Sequence, residues 1–270
     1  MKIDFQASRA GRLERLVRER LPFVRRAFLQ KLFRKREIRV GGSPRKSDAE
    51  VVVHESITIF LPDPRKNFSI ITGCEILFED AEIIAFNKTV GITTHKGVGT
   101  RGKTLREAAE ELLDLKLTVV HRLDRETSGI LIFAKTKETA QKLATEFRER
   151  RVKKIYHAVV SGILKDESGI IKLPLKKIGE RMAVVRGGLS AETQWKLIRK
   201  FKNSSLVEIN LITGRTHQIR VHFSAIGHSI VGDKLYGDSI DSTRMFLHAS
   251  DLRILDYKFH AKLSREFLGT

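Results

Sequence analysis

The sequence of 270 residues has little cysteine, proline or tryptophan and no long apolar run. Because Cys74 is its single cysteine, the chain cannot form an intrachain disulfide, which predicts a reducing, cytoplasmic location. No stretch approaches the length needed to span a bilayer. Residues 1–20 carry many charges and lack the apolar region of a secretory signal. We therefore expect neither a secreted disulfide-stabilised protein nor a membrane protein.

Acidic residues are also scarce relative to basic ones. The chain has 32 Asp and Glu against 51 Lys and Arg, which leaves a formal net charge of +19. Such an excess predicts a polyanionic partner, with nucleic acid as the first candidate. A basic protein bound to a membrane surface is the alternative. That class would need an amphipathic basic helix beside a lipid anchor or a long apolar span, and neither is visible in the sequence.

Residues 1 to about 61 are predicted to form a small, basic unit. Apolar side chains recur at helical spacing from Leu13 to Leu21 and again from Ala27 to Phe33, and short alternating strands follow. Up to Lys66 there are 17 basic and 8 acidic residues, a net charge of +9. The basic residues that we expect to contact RNA phosphates cluster on the second helix and its exit: Arg25, Arg26, Lys31, Arg34, Lys35 and Arg36. A merely solvated charged face is the alternative.

This order of elements resembles the S-four-type (αL) RNA-binding module. The matching segments are Gly11–Leu13, Leu29–Leu32 and Ile38–Val40. The sequence departs from the usual pattern at Glu14, Gly41 and His54–Glu55. Residues 62–67, with two prolines among polar residues, are predicted to be a linker. The expected domains are therefore residues 1–66, the RNA-binding module with its linker, and residues 67–270.

A nucleotide-binding motif occurs at residues 97–104, which match G-x-x-x-x-G-K-[ST]. A phosphate-binding loop of this kind must leave a buried strand and open a helix. A helix is predicted, because Thr104 and Glu107 form a capping box, but the residues before Gly97 do not form a strand pattern. We therefore interpret the match as accidental, and a nucleotidase remains only a minor alternative.

The segment from His121 to Gly129 is predicted to be an active-site loop between two apolar strands, the second of which starts at Ile130. Asp124 lies between Arg122 and Arg125, whose positive charge is expected to keep its carboxylate ionised. The simpler interpretation is that Asp124 only caps a turn. His217 and His222 lack the spacing of a helical zinc site, so no metal is expected.

The segments of residues 76–255 resemble, in order and spacing, the RluA-type RNA pseudouridine synthases. Those that carry the resemblance are His121–Asp124 with Thr127–Gly129, Lys154–Tyr156, Ala191–Thr193, Gly214–His222, Gly232–Asp233 and Leu247–Ala249. Thr89 and Ser229 stand where the family usually has proline. The resemblance implies an α+β fold in which a mixed, mainly antiparallel sheet forms the catalytic domain.

The resemblance also implies roles for individual residues. Asp124 would be the catalytic nucleophile, Arg220 its counter-ion, and Tyr156 the surface on which the target uracil stacks. Arg122 would occupy the space of the flipped nucleotide, and Arg215 and His217 would contact RNA. The implied reaction needs no cofactor.

The expected function is the isomerisation of uridine in structured RNA, most readily large-subunit ribosomal RNA, by a monomer. A transfer RNA substrate and an inactive RNA-binding or ribosome-assembly factor are the alternatives. The sequence leaves open whether Asp124 attacks the sugar or the base.

Overall fold

A computed structural model describes residues 1–22, 24–97, 102–237 and 242–269. The chain forms two compact units, of which the first comprises residues 1–76 and 92–117 and the second comprises residues 77–91 and 118–270. The expected domains, residues 1–66 and 67–270, stay a prediction, and these compact units divide the chain at different places. Residues 67–76 and 92–117 lie with the N-terminal residues, so the chain passes between the two units more than once.

The first unit contains a small sheet and four helices within its described residues. Its elements up to residue 72 are β1 (Lys2–Gln6), β2 (Gly11–Arg12), α1 (Leu13–Arg20), α2 (Arg26–Arg34), β3 (Ile38–Val40), β4 (Ser43–Pro44), β5 (Glu50–Val51), β6 (Ser56–Phe60) and α3 (Pro64–Thr72). The four-stranded sheet has the order β1-β6-β3-β4, and β2 pairs with β5. The two predicted N-terminal helices are both present, and each buries its apolar stripe.

The predicted linker at residues 62–67 is wrong in its second half, because α3 begins at Pro64. Proline is compatible with the first turn of a helix, where its missing N–H would have no partner anyway. The helix is held by the burial of Phe68 and Ile71 and by a hydrogen bond from the Thr72 hydroxyl to the Phe68 carbonyl.

The remaining elements begin with β7 (Glu75–Glu79), β8 (Ile83–Lys88), α4 (Leu105–Leu113), β9 (Thr118–Val119), β10 (Ser128–Ala134), α5 (Lys137–Arg148) and β11 (Lys153–Ser161). They continue with β12 (Ser168–Ile171), β13 (Leu175–Ile178), β14 (Arg181–Val184), β15 (Thr193–Lys200), β16 (Ser204–Leu211), α6 (Gln218–Ala225), β17 (Leu247–Ile254), β18 (Tyr257–His260) and a 3-10 turn, Arg265–Leu268.

Helix α4 belongs to the first unit and has the predicted capping box. The Glu107 N–H donates to the Thr104 hydroxyl, and the Thr104 N–H donates to the Glu107 carboxylate. Residues 98–101 of the nucleotide-binding motif lie outside the described residues. Lys103, the lysine of that motif, precedes α4 and forms an ion pair with Glu111 of α4. Residues 92–97, which precede the motif, contain no strand. The motif thus lacks the strand that a phosphate-binding loop requires.

The second unit is built on a ten-stranded, mainly antiparallel sheet, which confirms the α+β class. Its main order is β12-β15-β16-β11-β17-β10-β8-β7, with β18 paired to β17 and β9 to β10. Strand β10 is buried along its whole length and pairs in parallel with β17 at Ser128–His248 and Gly129–Ala249. Helix α5 packs against β10, with Ala140 and Leu143 in the apolar core. This burial holds the start of β10, and therefore the loop before it, in place.

Two local features of the second unit are hard to see in the sequence. The segment between β11 and β15 contains β12 and the β13–β14 hairpin, whose lysine and glycine content obscures the strand pattern. The lead-in strand β9 has only two residues and is at least partly exposed, so only β10 is the buried strand expected there. Among the described residues, no helix is long and apolar enough to cross a membrane.

Candidate active site

The loop of residues 121–127 joins β9 to β10 and is fixed by hydrogen bonds within the second unit. The buried Lys88 ammonium donates to the carbonyls of Thr89 and Arg125, at 2.9 and 3.2 Å. The Ile132 N–H donates to His121 Nε2 at 3.0 Å, and the Thr127 N–H donates to the Asp124 carbonyl. These contacts hold the Asp124 backbone, so its carboxylate has a defined position.

Asp124 forms an ion pair with Arg220 of α6. The Arg220 Nη1 lies 3.2 Å from Asp124 Oδ2 and donates a hydrogen bond to it. The other edge of the same guanidinium donates two hydrogen bonds to Asp233, from Nε to Oδ2 at 2.7 Å and from Nη2 to Oδ1 at 2.8 Å. Arg220 and Asp233 are both buried. The bidentate pair with Asp233 therefore fixes the direction in which Arg220 presents its remaining nitrogen to Asp124.

Burial and charge act against each other on this pair. Burial alone would raise the pKa of Asp233, but the Arg220 guanidinium and the N–H groups of Leu235 and Tyr236 together hold it below its ordinary value. Burial likewise opposes the charge of Arg220, but Asp233 and Asp124 raise the pKa of the guanidinium. Both groups are therefore charged at neutral pH, and Arg220 carries a positive charge next to Asp124.

His217 is the second basic side chain near Asp124. Its Nε2 lies 3.7 Å from Asp124 Oδ2, and its Nδ1 lies 2.8 Å from the Tyr236 hydroxyl. Tyr236 is itself fixed, because its hydroxyl accepts the Met182 N–H at 2.9 Å. Burial lowers the pKa of His217 and Arg220 lowers it further, against the opposing charge of Asp124, so the imidazole is neutral at neutral pH.

The backbone before α6 places His217 and Arg220. His217 has φ 53°, in the left-handed region that few residues other than glycine adopt, directly before the helix. The Gln218 side chain accepts hydrogen bonds from the Thr213 hydroxyl and the Arg215 N–H and donates to the Glu192 carbonyl. This local network secures the turn, and the helix ends at Ala225, with Gly227 at φ 81° just after it.

Tyr156 lies on β11, the strand next to β17, and is 9% exposed. Burial, together with the negative charge of Asp124, raises the pKa of its hydroxyl, so the phenol is protonated at neutral pH. The Tyr156 side chain is therefore uncharged, and an uncharged aromatic ring is suited to packing against another ring.

These side chains line one cleft of about 520 Å³ in the second unit. Asp124, Tyr156 and Arg220, the three predicted catalytic residues, all contribute to its wall, as do the predicted RNA contacts Arg122, Arg215 and His217. The volume is in the range of small-ligand sites. The structure therefore brings together six residues from three well-separated segments of the sequence.

The expectation that Arg122 and Arg125 serve as counter-ions of Asp124 needs correction. Both are exposed, and Arg125 lies 3.5 Å from Glu126. Among the described residues, the basic groups within 4 Å of the Asp124 carboxylate belong to Arg220 and His217. Side chains adjacent in a turn diverge, whereas α6 approaches the loop from across the fold.

Sequence reasoning assigned no role to several residues of the site. Asp233 was noted only within a motif, and Tyr236, Lys88 and Gln218 carried no prediction. A buried acid can be inferred when an arginine is expected inside a cleft, because the guanidinium needs more than one acceptor. No group of three or more His, Cys, Asp or Glu placed to hold a metal ion occurs in the described residues.

The basic residues predicted at the N-terminus lie in the first unit. Arg26 lies 3.5 Å from Glu14. The other predicted RNA contacts of this unit are exposed, and no described carboxylate lies within 4 Å of their charged groups. These residues are Arg25, Lys31, Arg34, Lys35 and Arg36. Their charges are available to a partner.

Residues 82–225 match the model of the RNA pseudouridylate synthase family. The ribosomal large subunit pseudouridine synthase C of Vibrio vulnificus is 34% identical, over 93% of this chain and 87% of that protein. The ribosomal large subunit pseudouridine synthase D of Nitrosomonas europaea is 41% identical over 60% of this chain and 49% of that protein. The solved structure of human RNA pseudouridylate synthase domain containing 1 is similar, with a TM-score of 0.64 and 25% identity over 77% of this chain and 89% of that one. This chain belongs to the RNA pseudouridylate synthase family.

Proposed function

We propose that this protein converts uridine to pseudouridine in large-subunit ribosomal RNA and that Asp124 is its catalytic carboxylate. The observation that carries the assignment is the Asp124 carboxylate held by the Arg220–Asp233 pair inside a cleft whose other charged walls are basic. The ribosomal substrate is supported by the relatives from Vibrio vulnificus and Nitrosomonas europaea, which are named as ribosomal large subunit pseudouridine synthases.

The reaction is an isomerisation. The bond from the sugar carbon 1′ to nitrogen 1 of uracil breaks, a bond from carbon 1′ to carbon 5 forms, carbon 5 loses its proton and nitrogen 1 gains one. Nothing is oxidised and no group is consumed, so the protein must supply a nucleophile, a means of keeping it charged and a place for the displaced base. Asp124 attacks the sugar or the base in this scheme, and Arg220 orients it through their hydrogen bond.

Tyr156 would provide the stacking surface for the uracil. Because its phenol is protonated at neutral pH, stacking suits it better than removing the proton from carbon 5. Arg122 is exposed at the mouth of the cleft and would fill the space that the target nucleotide leaves, since an enzyme acting on a base must take it out of the stack.

We propose a second RNA contact on the first unit, through the exposed basic face of α2 and the residues that follow it. The support is electrostatic, because these cations have no described carboxylate nearby and phosphate contacts dominate RNA affinity. The proposal is also supported by the resemblance of residues 1–60 in the sequence to the S-four-type module, whose two helices are followed by short strands here.

Replacing Asp124 tests the assignment. The substrate is large-subunit ribosomal RNA transcribed in vitro with uridine tritiated at carbon 5, so that each turnover releases label into water. Asp124→Asn keeps the size and removes the nucleophilic charge, so release should fall to background while filter binding of the RNA stays within about twofold. Asp166→Asn, at an exposed loop position, is the matched control and should release label at the wild-type rate.

Each result has a clear meaning. Substantial label release by Asp124→Asn would remove Asp124 from the chemistry. Release from transfer RNA but not from ribosomal RNA would change the substrate and keep the reaction. No release by the wild-type protein from either RNA would point to the RNA-binding factor, and phosphate release from ATP would point to a nucleotidase.

A further inference from the structure

Lys154 is a half-buried lysine of β11 that has no assigned role in the scheme above. It lines the same cleft as Asp124 and Tyr156, and it precedes Tyr156 by two residues on the strand. Its ammonium reaches the loop before α6, since a Cβ placed on Gly214 would lie 3.5 Å from Nζ. No hydrogen bond or ion pair to Nζ occurs among the described residues. Within the part of the chain that the structure describes, this ammonium in the cleft therefore has no partner.

The charges around Lys154 are almost all positive. The titratable and charged groups that line the cleft with it are His121, Arg122, Asp124, Arg148, Arg150, Tyr156, Arg215, His217 and Arg220. Asp124 is the single carboxylate in this set, and Arg220 already binds it. An unpaired ammonium among arginines is unfavourable unless an anion is brought in by a ligand. The anion that RNA brings into a cleft is its phosphodiester.

We propose that Lys154 binds a backbone phosphate next to the target uridine and so positions that nucleotide over Tyr156. The proposal rests on the proposed function for the identity of the RNA. Lysine is a common phosphate ligand that acts as a point charge. Lys154 is a positioning residue, since it acts on the substrate backbone and takes no part in bond making.

The protonation of Lys154 gives the proposal a distinctive signature. Burial, together with repulsion from Arg150, lowers the pKa of Lys154 to about 8. The arginines of the cleft stay charged at all accessible pH values. The pKa values of His121 and His217 are lowered and that of Tyr156 is raised, so none of these three changes charge between pH 7 and 9. As the pH rises from 7 to 9, Lys154 is therefore the cleft residue that loses its positive charge.

The test uses the full chain and unmodified large-subunit ribosomal RNA, with affinity measured by filter binding. Because the phosphate selects the protonated lysine, the wild-type Kd should rise by up to about tenfold between pH 7.5 and 9. Lys154→Arg should bind as tightly at pH 7.5 and lose the pH response. Lys154→Met should weaken binding at pH 7.5 and reduce the slope of log Kd against log salt by roughly 0.7 to 0.9, the value of one phosphate contact.

Lys153→Met is the matched control, because Lys153 is adjacent in sequence and exposed, and it does not line the cleft. It should keep the wild-type pH response. Wild-type pH dependence in Lys154→Met, or loss of affinity at pH 7.5 in Lys154→Arg, would overturn the proposal. Tritium release is measured separately, so a wild-type protein that binds RNA but releases no label would refute the proposed function and leave the binding result to decide on Lys154.

Discussion

At the scale of single residues, Asp233 controls the direction of the Arg220 guanidinium that binds the Asp124 carboxylate, without touching Asp124 itself. Its carboxylate takes two nitrogens of Arg220 and two backbone N–H groups, from Leu235 and Tyr236. Arg220 is left with one edge, which faces Asp124. A guanidinium with a single acceptor could rotate about its side chain, and the second carboxylate removes that freedom.

Asp233→Asn should therefore damage both stability and turnover. The substitution leaves a buried guanidinium with half of its charge compensation, which costs roughly 3 kcal/mol of unfolding free energy. Label release should fall by at least about tenfold, since the Asp124 carboxylate loses its fixed partner. Urea denaturation and the tritium assay measure the two effects. Glu138→Gln, which breaks the exposed pair with Lys142, should change neither, and an equal effect of both variants would contradict the role of Asp233.

Some residues of this site could be predicted from the sequence and others could not. Asp124, Tyr156 and Arg220 were predicted as a set from a family resemblance, and the structure places all three around one cleft. The counter-ion expected from local sequence, Arg122 or Arg125, was wrong because ion pairing depends on side-chain direction in three dimensions. Asp233 could not be singled out, since a Gly-Asp pair is equally typical of a surface turn.

At the scale of elements, the pairing of β10 with β17 joins the Asp124 loop to the strand next to Tyr156. Gly129, one residue into β10, has φ 111° and packs directly against the Ala249 backbone. A Cβ there would overlap the Ala249 carbonyl oxygen and lie 2.6 Å from the Ala249 nitrogen. Ala249 is in turn paired with Tyr156. The approach of these strands requires glycine.

Gly129→Ala should destabilise the fold by at least about 2 kcal/mol, since it adds a backbone clash to an unfavourable φ. Gly91→Ala separates the two causes, because Gly91 also has a positive φ, 85°, but nothing lies within 4 Å of its Cβ position. That variant should lose only about 1 kcal/mol. Urea denaturation compares them, and equal losses would show that the β10–β17 contact adapts to a methyl group.

The spacing of apolar residues predicted some of the helices and strands but not others. Helices α1 and α2 were predicted because each has an apolar stripe, and α4 because it starts at a capping box. Strand β1 was missed, since its partner β6 is more than fifty residues away and its own pattern is short. Helix α3 was missed because Pro62 and Pro64 are typical of a linker, although proline is compatible with a helix start.

At the scale of the whole molecule, the net charge of +19 predicted a polyanionic partner but could not say where that partner binds. The structure shows two kinds of basic surface. In the second unit, arginines and Lys154 line the cleft around Asp124. In the first unit, exposed cations follow α2 and its exit. The placement of these charges depends on the fold and could not be derived from composition.

Deleting residues 1–66 would be a poor test of the first unit, because residues 92–117 belong to the same compact body. Arg20 of α1 lies 3.1 Å from Glu111 of α4, and the deletion would leave that helix without its partners. Charge removal in the full chain is the better design. The variant replaces by glutamine five cations with no described carboxylate within 4 Å: Arg25, Lys31, Arg34, Lys35 and Arg36.

If all five contact RNA phosphates, the slope of log Kd against log salt should fall by roughly 4, while label release at saturating RNA stays at the wild-type rate. The control replaces Lys2, Arg9 and Arg15, whose charges are already offset by Asp4 and Glu19, and should change the slope much less. An unchanged slope in the five-residue variant would mean that this face makes no phosphate contact. A contact that contributes equally to the ground state and the transition state alters KM and leaves kcat unchanged. A reduced slope together with a reduced turnover at saturating RNA would therefore mean that this face also stabilises the transition state.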